Sequence, residues 1–172
     1  SKSISFVSEA TELSRMNWWT AEYGLVGDIQ TPKIFGAGLL SSAGESRWCL
    51  SDKVKKIPLT LDCIKQTYDI TEPQPQLFVA KDFKHLSQVL EELSEKMSYK
   101  IGGLYGLKAA LKAESINTVE FNNKLQISGV LKKYHLDSNN EVAYLQFHGP
   151  TQLCYENKEI AGHDNKYHSH GF

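Results

Sequence analysis

Trp18-Trp19-Thr20-Ala21-Glu22-Tyr23-Gly24-Leu25 is the stretch on which the reading of this chain turns. Upstream of it, apolar residues fall at Phe6, Val7, Ala10, Leu13 and Met16, the rhythm of an amphipathic helix. From Trp18 to Tyr23 the chain is apolar nearly all round, which suits a buried segment. Gly24 follows as a C′ cap, so a first helix is expected over residues 1–24. Glu22 is then a carboxylate near the C-terminal end of a helix, among large aromatics. The helix dipole disfavours an anion there, and burial adds to the cost unless something positive compensates. The residues alone leave two readings open. Glu22 points to solvent or pairs with Arg15 or a lysine, or it binds a cation such as a metal ion.

A second stretch lies a short way downstream: Phe35-Gly36-Ala37-Gly38-Leu39-Leu40-Ser41-Ser42-Ala43-Gly44-Glu45. Cys49-Leu50-Ser51 follows, then Ile70-Thr71-Glu72-Pro73-Gln74-Pro75 and the strand-like Leu77-Phe78-Val79-Ala80. In order and in spacing, this series resembles the biopterin-dependent aromatic amino acid hydroxylases, over residues 8 to 97. The family carries a Trp/Phe-Thr-x-Glu-Phe/Tyr-Gly-Leu segment and a Tyr-Gly-Ala-Gly-Leu-Leu-Ser-Ser-x-Gly-Glu segment. The resemblance implies that Glu22 is the carboxylate ligand of a catalytic non-haem Fe(II). It implies that Trp18 and Tyr23 wall the substrate site and that Gly38 and Ser41 line it. Glu45 belongs to the motif without an evident role. A facial set of two histidines and one carboxylate leaves open positions on the metal for oxygen and substrate. The implied cofactors are Fe(II) and a tetrahydropterin, whose binding residues lie mostly outside this chain. The implied reaction is monooxygenation of an aromatic amino acid by O2, with phenylalanine converted to tyrosine as the expected case.

The family's two iron-binding histidines come from a His-Asp/Glu-x-x-x-His motif upstream of the glutamate. The first histidine here is His85. The chain is therefore expected to be a fragment of a longer hydroxylase, inactive by itself. The alternative is a non-catalytic regulatory or assembly piece that binds a protein partner through exposed strand edges of residues 115–172. A cut catalytic domain also exposes apolar surface, which invites a homo-oligomer. His163-Asp164-Asn165-Lys166-Tyr167-His168 has the family's spacing in the wrong place. Residues five apart stand about 140° apart on a regular helix, a poor metal clamp. With Gly162 and Gly171 flanking it, this segment, with His170, reads as a solvated loop.

The 172 residues carry a net charge of −1, with lysines scattered among glutamates, which argues against a nucleic-acid partner. No apolar run approaches the roughly 18 residues of a membrane span. The cysteines Cys49, Cys63 and Cys154 are widely spaced and form no CxxC pair, as in a reduced cytoplasmic protein. A catalytic thiol among them is set aside.

The fold class expected is α+β: a mainly helical remainder of the hydroxylase catalytic domain, then a small antiparallel β module. Residues 1–98 form the catalytic-domain part, 99–114 a linker and 115–172 a β-rich extension. A hairpin is expected over 23–26 and 33–35, and helices over 41–50, 59–68 and 81–97. On the last, Phe83, Leu86, Val89, Leu90, Leu93 and Met97 form one core-facing stripe. Gly102, Gly103 and Gly106 mark the linker, with a helical turn or two expected over 107–112. Strands are expected over 117–121, 125–132, 142–147 and 152–155. Turns are expected at Asn122-Asn123, Asp137-Ser138-Asn139-Asn140 and Gly149-Pro150.

Overall fold

The computed structural model describes residues 7–172. The expected start of the first helix, residues 1–6 with Phe6, lies outside the described residues. The chain is α+β and divides into two compact units between Met97 and Ser98.

In the first unit, Ser8 opens α1 (Glu9–Asn17), its hydroxyl accepting the Thr11 N–H at 3.2 Å. The helix widens at Trp18. The Tyr23 N–H donates to the Trp18 carbonyl at 2.8 Å, an i→i+5 bond, so Trp18–Glu22 is a π-helical turn. Gly24 is not the left-handed cap that was expected, since its φ is not positive. Tyr23 ends the turn at φ −123 and ψ 24. Gly24 is required for space instead: a Cβ there would lie 2.3 Å from both the Phe35 ring and the Thr20 carbonyl.

The hairpin forms as expected, with β1 (Leu25–Val26) antiparallel to β2 (Lys33–Ile34). Two further strands, β3 (Lys55–Pro58) and β4 (Gln76–Ala80), complete a sheet of order β2-β1-β4-β3. Strand β4 runs parallel to both of its neighbours, and Leu77, Phe78, Val79 and Ala80 are all buried. A strand covered on both faces reads as such an apolar run. Trp19 is 1% exposed and donates its indole N–H to the Gln66 carbonyl at 3.1 Å, with its ring edge-on to Phe78. Truncating a side chain so placed costs about 3–5 kcal/mol.

The chain after β2 folds into α2 (Ala37–Ser41) and α3 (Ala43–Leu50). The helix expected over 59–68 is only a 3₁₀ turn, Leu61–Lys65, which buries Cys63 and Ile64 and then leaves the helical path at Gln66. Helix α4 (Phe83–Ser94) buries Val89 and Leu93. Phe83 and Leu90, expected on its core stripe, are exposed, although Phe83 meets Phe35 edge-on at 5.5 Å.

The second unit corrects the linker. Residues 99–114 are largely helical, as α5 (Ser98–Ile101) and α6 (Gly103–Ala113). Gly102 and Gly103, at φ 65 and 53, make the break between them. Leu107 and Ala110 then bury against Ile127, Leu131, Phe147 and Leu153. Leu, Lys and Ala are good helix formers, and their propensity outweighs the cluster of glycines. Strands β5 (Ile116–Glu120), β6 (Leu125–Leu136), β7 (Val142–Tyr155) and β8 (Lys158–Glu159) form an antiparallel meander. Asp137 Oδ1 accepts the N–H groups of Asn139 and Glu141 at the β6–β7 turn. Gly149-Pro150 is no turn: β7 runs through it, with φ 72 at Gly149 and a register shift opposite Gly129 absorbing the extra residues.

All three tryptophans lie in the first unit, so their fluorescence follows its unfolding alone. In a urea titration read this way, Gly24→Ala should destabilise the unit by about 1–3 kcal/mol. Gly44→Ala, whose Cβ would meet nothing nearer than 3.7 Å, should be neutral to slightly stabilising.

Candidate functional site

The π-helical turn decides what can gather around Glu22. On an α-helix, Trp18 and Tyr23 would stand about 140° apart. The i→i+5 turn brings them nearly into line, and their rings stack at 4.4 Å. Tyr68 stacks on Trp18 from the other side at 4.2 Å and only 7° from parallel. Its hydroxyl lies 2.8 Å from Ser14 Oγ. The result is a three-ring stack, Tyr23–Trp18–Tyr68. Tyr68 was missed as a site residue because its sequence surroundings carry no motif. Trp18 Nε1 is buried with no hydrogen-bond partner among the described residues, at a cost of about 1–3 kcal/mol.

Glu22 is half-buried. Among the described residues its carboxylate accepts no hydrogen bond and forms no ion pair. The pairing with Arg15 does not occur: that guanidinium donates to the Ile64 carbonyl at 3.0 Å. Gly38 lies directly against the carboxylate. A Cβ on Gly38 would sit 3.3 Å from Glu22 Oε2, 3.1 Å from the Glu22 carbonyl and 3.0 Å from Tyr23 Cε2. Ser41 is exposed, and its hydroxyl donates to the Gly38 carbonyl at 2.7 Å. Of the site residues expected from sequence, the structure brings Trp18, Tyr23, Glu22 and Gly38 together. Ser41 joins them through Gly38.

The Tyr23 hydroxyl donates to Glu45 Oε2 at 3.1 Å. Burial pushes the Tyr23 phenol above the usual tyrosine range, and the hydrogen bond to Glu45 and the charges of Glu45 and Glu22 push it further the same way. A small cavity of about 10 Å³, room for about one water, lies beside Tyr23 and Glu45 and is bounded by Leu39, Trp48, Cys49, Gln74 and Leu77.

Among the described residues, no group of three or more His, Cys, Asp or Glu side chains is placed to hold a metal ion. His163 and His168 differ from the solvated loop expected. Both are half-buried, and Nδ1 of His163 lies 2.9 Å from Nε2 of His168. A turn bonding the His168 N–H to the Asp164 carbonyl at 3.1 Å, not a regular helix, brings them together. With ring centroids 5.1 Å apart, the facing nitrogens lie between the rings, as in one imidazole donating to the other.

Comparison with known proteins matches residues 4–143 to the family model for biopterin-dependent aromatic amino acid hydroxylases. The match runs beyond the motif-based likeness over 8–97 and into β7. Phenylalanine-4-hydroxylase of Rattus norvegicus is 47% identical over 73 residues, covering 42% of this chain and 16% of that protein. Protein henna of Drosophila melanogaster is 32% identical over 136 residues, covering 78% of this chain and 28% of that protein. Thus the chain spans well under a third of either relative. An iron- and phenylalanine-bound crystal structure of phenylalanine hydroxylase from Chromobacterium violaceum is 29% identical, with a TM-score of 0.43, covering 52% of this chain and 37% of that chain.

All three cysteines are free. Burial raises the Cys49 thiol and pushes Cys63 up to about 12. A thiol held protonated is a poor nucleophile. A thiol reagent at about pH 8 should therefore label the half-buried Cys154 in the native chain and leave Cys49 and Cys63 until denaturant is added. Rapid native labelling of Cys49 would contradict the burial described here.

Proposed function

Because the chain belongs to the biopterin-dependent aromatic amino acid hydroxylase family, we propose that it is part of an iron- and tetrahydropterin-dependent monooxygenase that converts phenylalanine to tyrosine. The observation that carries this reading is the Glu22 carboxylate: half-buried, without a partner among the described residues, and kept open by the missing side chain of Gly38. A carboxylate so placed calls for a cation. Glu22 fits one position in the ligand set of non-haem Fe(II) oxygenases, one carboxylate with two histidines, and no group of three such ligands forms among the described residues.

Glu22 is the carboxylate ligand in this proposal. When bound, the iron and the pterin supply the activation of O2. The chain's own residues position and enclose. Tyr23 presents its outer face to the aromatic ring of the amino acid, and Trp18, covered on its two faces by Tyr23 and Tyr68, backs that ring. Gly38 lets substrate and metal approach the backbone closely. Ser41 fixes the Gly38 carbonyl from behind. Residues 1–98 act as part of the catalytic domain, and 115–172 are a β-rich extension. Free, buried thiols agree with a cytoplasmic setting. The chain on its own contributes one ligand of three and is inactive.

The test is phenylalanine turnover with Fe(II), tetrahydropterin and O2 in the protein that contains this chain. Glu22→Ala should lower it by more than about 100-fold, since even residues that only support a metal ligand are worth about 10–100-fold. Turnover kept within about tenfold of the parent would overturn the assignment of Glu22.

A further inference from the structure

Glu45 ends the glycine-rich motif, and the function proposed above does not use it. It sits in the first turn of α3, where its N–H donates to Ser42 Oγ at 3.3 Å. A carboxylate in a first turn favours the helix dipole by itself. That accounts for a negative charge at this position, but not for where the carboxylate points. It reaches across 22 positions of sequence to take the Tyr23 hydroxyl at 3.1 Å.

The Tyr23 ring is thereby held on three sides. Trp18 covers one face at 4.4 Å. The Gly38 backbone lies along the Cε2 edge. Glu45 holds the tip. The first two contacts are apolar and leave the ring free to slide or swing about its χ angles. Only the hydrogen bond to Glu45 fixes direction, and a bond to an ionised acceptor is the stronger kind. Tyr23 is also joined to Glu22 by a single peptide and ends the π-helical turn. Any swing of the ring is felt at the Glu22 backbone, which packs on the same Gly38.

We propose that Glu45 is a positioning residue: through the Tyr23 hydroxyl it locks the Tyr23 ring against Trp18 and so fixes the aromatic wall beside Glu22. The proposal rests on the reading of this wall as the amino-acid site. A phenylalanine in place of Tyr23 would keep the wall and lose the lock.

The test is a double-mutant cycle of Tyr23→Phe with Glu45→Ala, with Glu45→Gln as the variant that keeps an acceptor. The first readout needs no activity. In this chain labelled with ring-¹³C tyrosine, the Tyr23 signal is identified by its loss in Tyr23→Phe. Glu45→Ala should shift that signal, and Glu45→Gln should restore its position in part. A Tyr23 signal unmoved by Glu45→Ala overturns the proposal. The second readout is steady-state kinetics of the iron-loaded protein. Glu45→Ala should raise KM for phenylalanine roughly 10-fold, the scale of one hydrogen bond to a charged group, with kcat changed by no more than about twofold. Tyr23→Phe should do the same, and the double variant should be no worse than either single one. Full additivity of the two KM effects also overturns the proposal. A shifted NMR signal with an unchanged KM would uphold the lock and overturn the substrate-site reading instead.

Discussion

Two backbone segments meet at Glu22 with no room for a side chain between them. A Cβ on Gly36 would lie 2.5 Å from the Glu22 carbonyl and 2.6 Å from the Gly24 amide nitrogen. Gly24 is closed in the same way by Thr20 and Phe35, and a Cβ on Gly38 would crowd Glu22 and Tyr23 at 3.0–3.3 Å. This close approach is what lets the π-helical turn of Trp18–Glu22 lie directly on the start of α2. The Gly36 N–H donates to the Gly24 carbonyl at 3.0 Å and holds the two segments together. The core then follows from it. Trp19 and Met16 turn inward from the same helical run, and the β1–β2 hairpin leaves Gly24 in register with β4.

Much of this was legible in the sequence where chemistry is local. The helix before Trp18, the β1–β2 hairpin and the Asp137 turn each depend on a few neighbouring residues, and each formed. The gathering of Trp18, Tyr23, Glu22 and Gly38 was implied by the resemblance of the two motifs to the hydroxylase family. What the sequence did not reveal depends on long-range packing. The change from α to π geometry has no composition signal, so Gly24 was read as a conformational cap when it is a spatial one. Tyr68 joins the stack from the irregular chain beyond the 3₁₀ turn Leu61–Lys65, a stretch that the periodicity reads as part of a longer helix. The glycines at 102, 103 and 106 looked like a linker, yet Leu107 and Ala110 had a sheet to bury against. Phe83 kept the spacing of a core residue and stayed exposed, because burial is decided by what lies opposite a helix face.

The second unit shows the same limit from the other side. Alternation correctly marks its strands, but β7 passes straight through Gly149-Pro150. Gly149 takes a positive φ and Gly129 offers no side chain opposite it. The fully buried Thr151 sits across that gap, with its hydroxyl donating to the Gly149 carbonyl. His163 and His168 carry a metal-motif spacing, yet they meet nitrogen to nitrogen, one donating to the other. Spacing alone could not separate these outcomes.

The account rests on the half-buried Glu22 carboxylate, which has no hydrogen-bond or ion-pair partner among the described residues and lies in a cluster where the Trp18 indole N–H is also unbonded. The most direct measurement is the iron content of the protein containing this chain, purified with Glu22→Ala beside the unaltered protein, with circular dichroism to check that both are folded. The account predicts that iron falls to below roughly a tenth of the parent level while the fold is kept, as expected when one ligand of three is removed. Full iron occupancy in the folded Glu22→Ala protein would contradict it, and would place the metal on other residues.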